Sequence, residues 1–192
     1  GGGELGMGEY FIESATTIRL DVYRGEQNSL LADAHAIPFA SEEFDLIVIQ
    51  AVLEHLLFPN KAISEIYRAL KDSGTVYSEV PFLQSVHEGT FDFSRYTMTG
   101  HCVLFKDFQI HNFGVIGGSR TSLNWITRDV IRSMGLNKIA ALLFSLFRIL
   151  GVLLPNQSKV PACNGTYILA QKDMAKGGSI KKIEDLVKYN GL

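Results

Sequence analysis

The residues best suited to chemistry fall into two groups. In the first, a polar residue ends each of three apolar runs: Asp21 after Ile18-Arg-Leu, Asp33 after Ser29-Leu-Leu-Ala, and Gln50 after Phe44-Asp-Leu-Ile-Val-Ile. An ionised carboxylate accepts two hydroxyl protons at once, so an acid in such a place suits a sugar diol. The chain opens on GGGELGMG, and Gly3 lies 18 residues before Asp21. Glycines let backbone approach a ligand closely, and an acid at about that distance meets ribose hydroxyls. The same pair also fits a linker followed by a surface acid. The second group is a single stretch, Ser85 to Tyr96, which holds His87, Asp92, Arg95 and Tyr96. His87 is the candidate general base, because a histidine titrates near neutrality. Asp92 either orients His87 or pairs with Arg95. Arg95 and Tyr96 are candidate substrate-binding residues. Tyr96 and Phe91 could stack on a sugar ring, but closure of the core is preferred. Glu54-His55 could act as an acid–base pair, but orienting the loop around them is the preferred reading.

These groups need a scaffold. Phe44 to Gln50 is nearly continuous apolar sequence, as in a strand buried on both faces. From Pro59 to Leu70 the apolar residues Ala62, Ile63, Ile66, Tyr67 and Leu70 recur at helical spacing, and Asp72-Ser73-Gly74 reads as the stop. Gly74 to Val80 is a strand closed by Pro81. Strand, helix and strand with short joints make a right-handed unit in a parallel sheet. Ligands of such sheets bind beyond the carboxyl ends of the strands, where Asp21, Asp33, Gln50 and Pro81 fall in order. Ser85 to Arg95 lacks periodicity and reads as a loop. Met98 to Leu104 and Leu123 to Met134 read as helices, and Phe108 to Ile116 and Gly165 to Gln171 as strands. The expected organisation is one domain over 1–175, with an acceptor-side loop and helical insertion over 81–160, then a polar tail over 176–192.

Composition narrows the classes. The 192 residues are 46% hydrophobic and 20% charged, which suits one globular core. A formal charge of -2 gives no general nucleic-acid surface. No secretory leader is visible at the start. Cys102 and Cys163 lack metal-type spacing, so a reduced, cytoplasmic protein with two core cysteines is expected, and no metal. Ile139 to Leu154 is apolar nearly all round. As a helix it would be roughly 24 Å long, shorter than the ~20 apolar residues a bilayer span requires. It is read as core or a homodimer contact, with a membrane surface or lipid-linked substrate as the alternative.

Asp33-Ala-His-Ala-Ile-Pro-Phe39, Phe44-Asp-Leu-Ile-Val48, Val52-Leu-Glu-His-Leu56 and Leu70-Lys-Asp-Ser-Gly74 together resemble the class I S-adenosylmethionine-dependent methyltransferases. The likeness is to the large subgroup with D-A-x-x-L-P-F and L-E-H-L motifs (the type 11-like methyltransferases), and it runs from Gly1 to about Phe82. It implies an α/β, Rossmann-like three-layer sandwich, mostly parallel with an antiparallel last strand. It implies S-adenosyl-L-methionine as cofactor. Gly1 and Gly3 would lie under its methionine part and Asp21 would bind its ribose. Asp33 would accept from the adenine amino group, with the Ala34 N–H near the ring, and Gln50 to Leu53 would line the methyl-donor pocket. The strand that should precede the glycines does not appear, and an incomplete chain is expected. His87-Glu-Gly-Thr90-Phe-Asp92-Phe-Ser-Arg95-Tyr-Thr97 resembles an H-x-x-P-x-D-x-x-R-x-T stretch of methyltransferase-like proteins associated with cell-surface polysaccharide or sugar metabolism, with Thr90 in place of the proline. The implied reaction is methyl transfer to a small molecule, such as a sugar or glycolipid precursor. The alternatives are a degenerate methyltransferase-like binding protein and an NAD-dependent Rossmann enzyme. The D-A-x-x-x-P-F and L-E-H-L pair speaks against the last.

Overall fold

The computed structural model describes residues 16–24, 30–87, 89–135, 138, 142, 143, 146 and 162–172. The glycine-rich start, most of the 139–154 run and the 176–192 tail lie outside them. Two short strands, β1 (Leu20–Asp21) and β2 (Leu30–Leu31), pair in parallel. A separate four-stranded sheet has the order β3-β4-β6-β5. Its strands are β3 (Phe44–Gln50), β4 (Leu70–Pro81), β5 (Phe108–Ile116) and β6 (Gly165–Lys172). β3 and β4 run parallel, and β6 runs antiparallel to both its neighbours. Helices α1 (Pro59–Ala69), α2 (Met98–Leu104) and α3 (Ser119–Ser133) complete the α/β arrangement. No described helix is long and apolar enough to cross a membrane.

Helix α1 forms because Pro59 sits in its first turn, where a missing N–H costs nothing. It buries Ala62, Ile63, Ile66 and Ala69 as one stripe. That stripe joins Ile49, Val76, Ile168, Met98 and Phe105 in a single core between helices and sheet. Helix α2 starts at Thr97, whose side chain accepts the Gly100 N–H at 3.1 Å.

The structure corrects the sequence reading in three places. The helix ends within one residue of the expected Leu70, but Asp72-Ser73-Gly74 is not what stops it. Its last carbonyls, those of Arg68 and Ala69, accept the backbone N–H groups of Glu42 and Glu43 at 3.0 and 2.9 Å. Leu70 turns to extended backbone there, so β4 begins four residues before the expected Gly74. The Asp72-Ser73-Gly74 segment is instead a bulge in β4, with Ser73 at φ 61. Second, β3 is not buried on both faces. It ends the described sheet, and Leu46 is 38% exposed. Third, α3 starts at Ser119, directly after Gly117-Gly118.

α2 is tied to the sheet by a polar bridge that nothing in the sequence pattern announces. His101 is fully buried, with Ser78 Oγ 2.9 Å from Nε2 and Thr166 Oγ1 3.0 Å from Nδ1. Burial pulls its imidazole down to about 3. A histidine depressed on folding is protonated first in the unfolded chain. Its contribution is therefore complete above pH 6.5 and is lost as pH falls toward 3. We expect wild-type stability in urea to fall steadily with pH through that window from this group. His101→Gln should remove that slope while keeping a partner for each hydroxyl. Identical pH slopes in the two proteins would refute the neutral bridge.

Candidate functional site

The carboxyl ends of the parallel strands carry the predicted acids. Asp21 ends β1, and its Oδ1 accepts the Tyr23 N–H at 3.0 Å. Asp33 follows β2. Its Oδ1 accepts both the His35 N–H at 2.8 Å and His35 Nδ1–H at 2.6 Å. These bonds, the backbone one foremost, hold the Asp33 carboxyl below the usual range. His35 Nε2 accepts the Phe58 N–H at 3.3 Å, which fixes the proton on Nδ1. Asp33 is thus both a turn former and an exposed acid, and no described hydrogen bond uses its Oδ2. His35 is engaged rather than simply exposed.

The Asp33–Phe39 segment is clamped by α1. Glu65 Oε2 accepts the Ile37 N–H at 2.9 Å, and Arg68 donates to the Ile37 and Phe39 carbonyls at 2.9 Å each. Glu65 and Arg68 also pair with each other. One helical turn therefore sets the position of Asp33, Ala34 and His35 relative to the core, against which Ala34 packs.

At the end of β3, Gln50 Nε2 donates to Glu79 Oε2 at 2.7 Å, and Tyr77 Oη donates a short bond to the other Glu79 oxygen. Burial, and then Glu79 itself, pushes the Tyr77 hydroxyl well above its ordinary value. Ala51 follows in left-handed backbone, φ 49, with its N–H on the Glu79 carbonyl at 3.0 Å. A residue with a Cβ holds that conformation only when its surroundings impose it, and such strain concentrates at functional sites. Here a cleft opens, lined by Ala51, Glu54, Glu79, Val80, Pro81, Gln84, Ile116 and Gly165. It lies at the carboxyl ends of β3 and β4, the place that parallel pairing favours for ligands.

The Ser85–Tyr96 loop folds over a buried ion pair. Arg95 makes a short, two-pronged contact with Asp92, which is 1% exposed. The rest of its guanidinium is taken by the carbonyls of Gln84, Ser85 and Ser94. Arg95 therefore closes the loop on itself and presents no open fork toward the cleft. Asp92 also accepts the His87 N–H at 2.8 Å, so it positions His87 and pairs with Arg95 at once. The pairing holds the Asp92 carboxyl down to about 2. Tyr96 packs against the core, but Phe91, read as a core residue, is 56% exposed.

Beside the cleft the loop meets the turn after β3. Glu54 is fully buried in the short 3-10 helix Leu53–His55, and neither of its carboxylate oxygens has a hydrogen-bond partner. His55 Nε2 is 3.6 Å and His87 Nε2 3.8 Å from Glu54 Oε1, and the two rings meet edge to face at 4.9 Å. The backbone carbonyl of Glu54 accepts the Phe93 and Ser94 N–H groups. Glu54 thus holds the Ser85–Tyr96 loop through its main chain, not through its side chain. The structure brings His87, Asp92 and Arg95 together with Glu54 and His55, and puts Gln50 beside the cleft-lining Glu79. Gly1 and Gly3 lie outside the described residues. Sequence reasoning missed Glu79 and Gln84. Their only signal is their place just inside and just past the strand end at Pro81.

Three comparisons bear on the chain. Residues 11–78, about a third of it, match the model of the methyltransferase domain family. No curated protein sequence gives a significant match. Among solved structures, the [4+2]-cyclase SpnF shares 15% identity over 74% of this chain and 54% of its own, TM-score 0.43. A SAM-dependent methyltransferase from Methanosarcina mazei shares 16% over 78% of this chain and 73% of its own, TM-score 0.43. A phosphoethanolamine N-methyltransferase from Haemonchus contortus, solved with phosphomonomethylethanolamine and S-adenosylhomocysteine, shares 16% over 74% and 36%, TM-score 0.42. This chain spans little more than half of SpnF, and at these scores the structural likenesses carry no argument about activity. The family match covers β1, β2, β3 and most of β4, with both strand-end acids and the Glu54-His55 turn, so over that third the chain is similar to methyltransferase domains.

Proposed function

We propose that this chain methylates a hydroxyl of a small, polar acceptor, of the sugar or glycolipid-precursor class, with S-adenosylmethionine as donor. The observation that carries this reading is the pair of strand-end acids, one ending β1 and one following β2, together with a cleft at the carboxyl ends of β3 and β4. The donor set fits the cofactor. Asp21 offers a carboxylate for ribose hydroxyls, and Asp33 Oδ2 stands clear of its own turn for an amino group. Bound there, S-adenosylmethionine supplies an electrophilic methyl group on a sulfonium.

The chain's own residues supply positioning and a proton acceptor. Glu79 and Gln84 offer the cleft's polar lining, and the exposed rings of Phe91 and Phe93 suit a sugar face. The Asp92–Arg95 pair fixes the backbone at His87, and His87 takes the acceptor's proton through Nε2, the nitrogen turned toward Glu54. Positioning contributes most of the acceleration in such a transfer.

The test is methyl incorporation from labelled S-adenosylmethionine across a panel of hydroxylated glycosides. With an accepted compound, His87→Gln should lower kcat about 100-fold. Cofactor affinity should stay within about 3-fold. Unchanged kcat would remove His87 from the reaction.

A further inference from the structure

We propose that Glu54, His55 and His87 form a binding site for a divalent ion of the zinc type. The donor atoms of the three residues all lie within 4.8 Å of one another. His55 Nδ1–H donates to the Phe91 carbonyl at 2.8 Å. That bond leaves the Nε2 lone pair of the neutral ring facing the Glu54 carboxylate. His87 Nδ1 stands 3.2 Å from both the Ser85 carbonyl, which can only accept, and Arg95 Nη2, which can only donate; the tautomer that donates to Ser85 leaves Nε2 its lone pair. With His87 in that tautomer, two lone pairs and a carboxylate face one another. Each imidazole nitrogen stands 3.6 or 3.8 Å from Glu54 Oε1, too far for a hydrogen bond. Bonds of about 2.0–2.2 Å to a tetrahedral ion put its ligands about 3.3–3.6 Å apart, close to the nitrogen-to-carboxylate distances seen. A cation between them would also partner a carboxylate that is fully buried without a single hydrogen bond.

Two nitrogens and one carboxylate are the ligand set of open zinc sites, which keep a fourth position for water or substrate. Glu54 also lines the cleft, and His55 and His87 are 20% and 28% exposed, which leaves an approach from solvent. The cysteine spacing gave no metal signal, and none was expected from sequence. His87 reaches the other two only through the loop closed by Asp92 and Arg95. One consequence rests on the methyl-transfer reading. An ion held there would occupy His87 Nε2, so the base role of His87 belongs to the metal-free chain and zinc should inhibit methyl transfer.

The test is calorimetric titration of the full chain, stripped with a chelator and dialysed, with zinc chloride alone and magnesium chloride as control. We expect one zinc per chain at micromolar affinity or tighter, and no such binding of magnesium. His55→Ala and His87→Ala should each weaken zinc by at least about 100-fold. Cobalt substitution should give visible bands that both variants lose. Both imidazoles are partly exposed and circular dichroism checks their folds; His87→Gln gives the same readout should an alanine variant unfold. Absence of saturable zinc binding, or equal affinity in wild type and His55→Ala, overturns the site. The titration contains no cofactor, so zinc binding without S-adenosylhomocysteine binding would keep this site and sink the methyl-transfer reading, and the converse would do the opposite.

Discussion

Replacing Arg95 by alanine lowers stability by about 3 kcal/mol, because it strands a buried carboxylate without its counter-ion. Asp92 is 1% exposed, and Arg95 supplies its ion pair through two nitrogens. The variant also frees the carbonyls of Gln84, Ser85 and Ser94, each of which loses a charged donor. The pH dependence carries the signature. Asp92 is lowered from 3.8 to about 2 on folding. A depressed carboxylate contributes its stability above the unfolded value and loses it as pH falls through the folded one, so the contribution vanishes between about pH 4 and pH 2. Urea denaturation at neutral pH and near pH 2 should therefore show Arg95→Ala far below wild type in the first case, with the gap narrowed by the Asp92 share in the second. A constant gap across that range would mean that Arg95 acts through packing, not through Asp92.

The second large effect is on ligand affinity. Asp33→Ala should weaken S-adenosylhomocysteine by about 10- to 100-fold, the worth of a hydrogen bond to a charged acceptor. The loss must be separated from damage to the turn, because Asp33 Oδ1 also holds His35. Asp33→Asn makes the separation. Its amide oxygen can keep the His35 N–H bond, while its NH2 group takes the place of Oδ2 and offers a donor where an amino group needs an acceptor. The expected result is a thermal midpoint near wild type with affinity as poor as in Asp33→Ala. Asparagine binding like wild type would assign Asp33 to the turn alone.

Periodicity and strand-end position made part of this molecule legible. The α1 stripe, the acids after β1 and β2 and the short strands of the second half follow local rules that need no tertiary knowledge. What escaped depends on contacts across the fold. The helix end is set by Glu42 and Glu43, which reach the carbonyls of Arg68 and Ala69 from another segment. The Arg68 fork on the Ile37 and Phe39 carbonyls leaves no periodic trace. The sequence offers Arg95 as a partner of Asp92, but its hold on the carbonyls of Gln84, Ser85 and Ser94 appears only when the loop folds around it. Glu54 and His55 were visible as a pair, but spacing cannot tell a buried unpaired carboxylate from a surface one. His87 joins them only through that folded loop.

The central claim is that the strand-end acids belong to an S-adenosylmethionine site. Calorimetric titration with S-adenosylhomocysteine, with NAD as control, tests it most directly. The account predicts micromolar binding of S-adenosylhomocysteine, none of NAD, and loss of the former in Asp33→Asn. Binding of NAD instead, or S-adenosylhomocysteine affinity indifferent to Asp33, would contradict it.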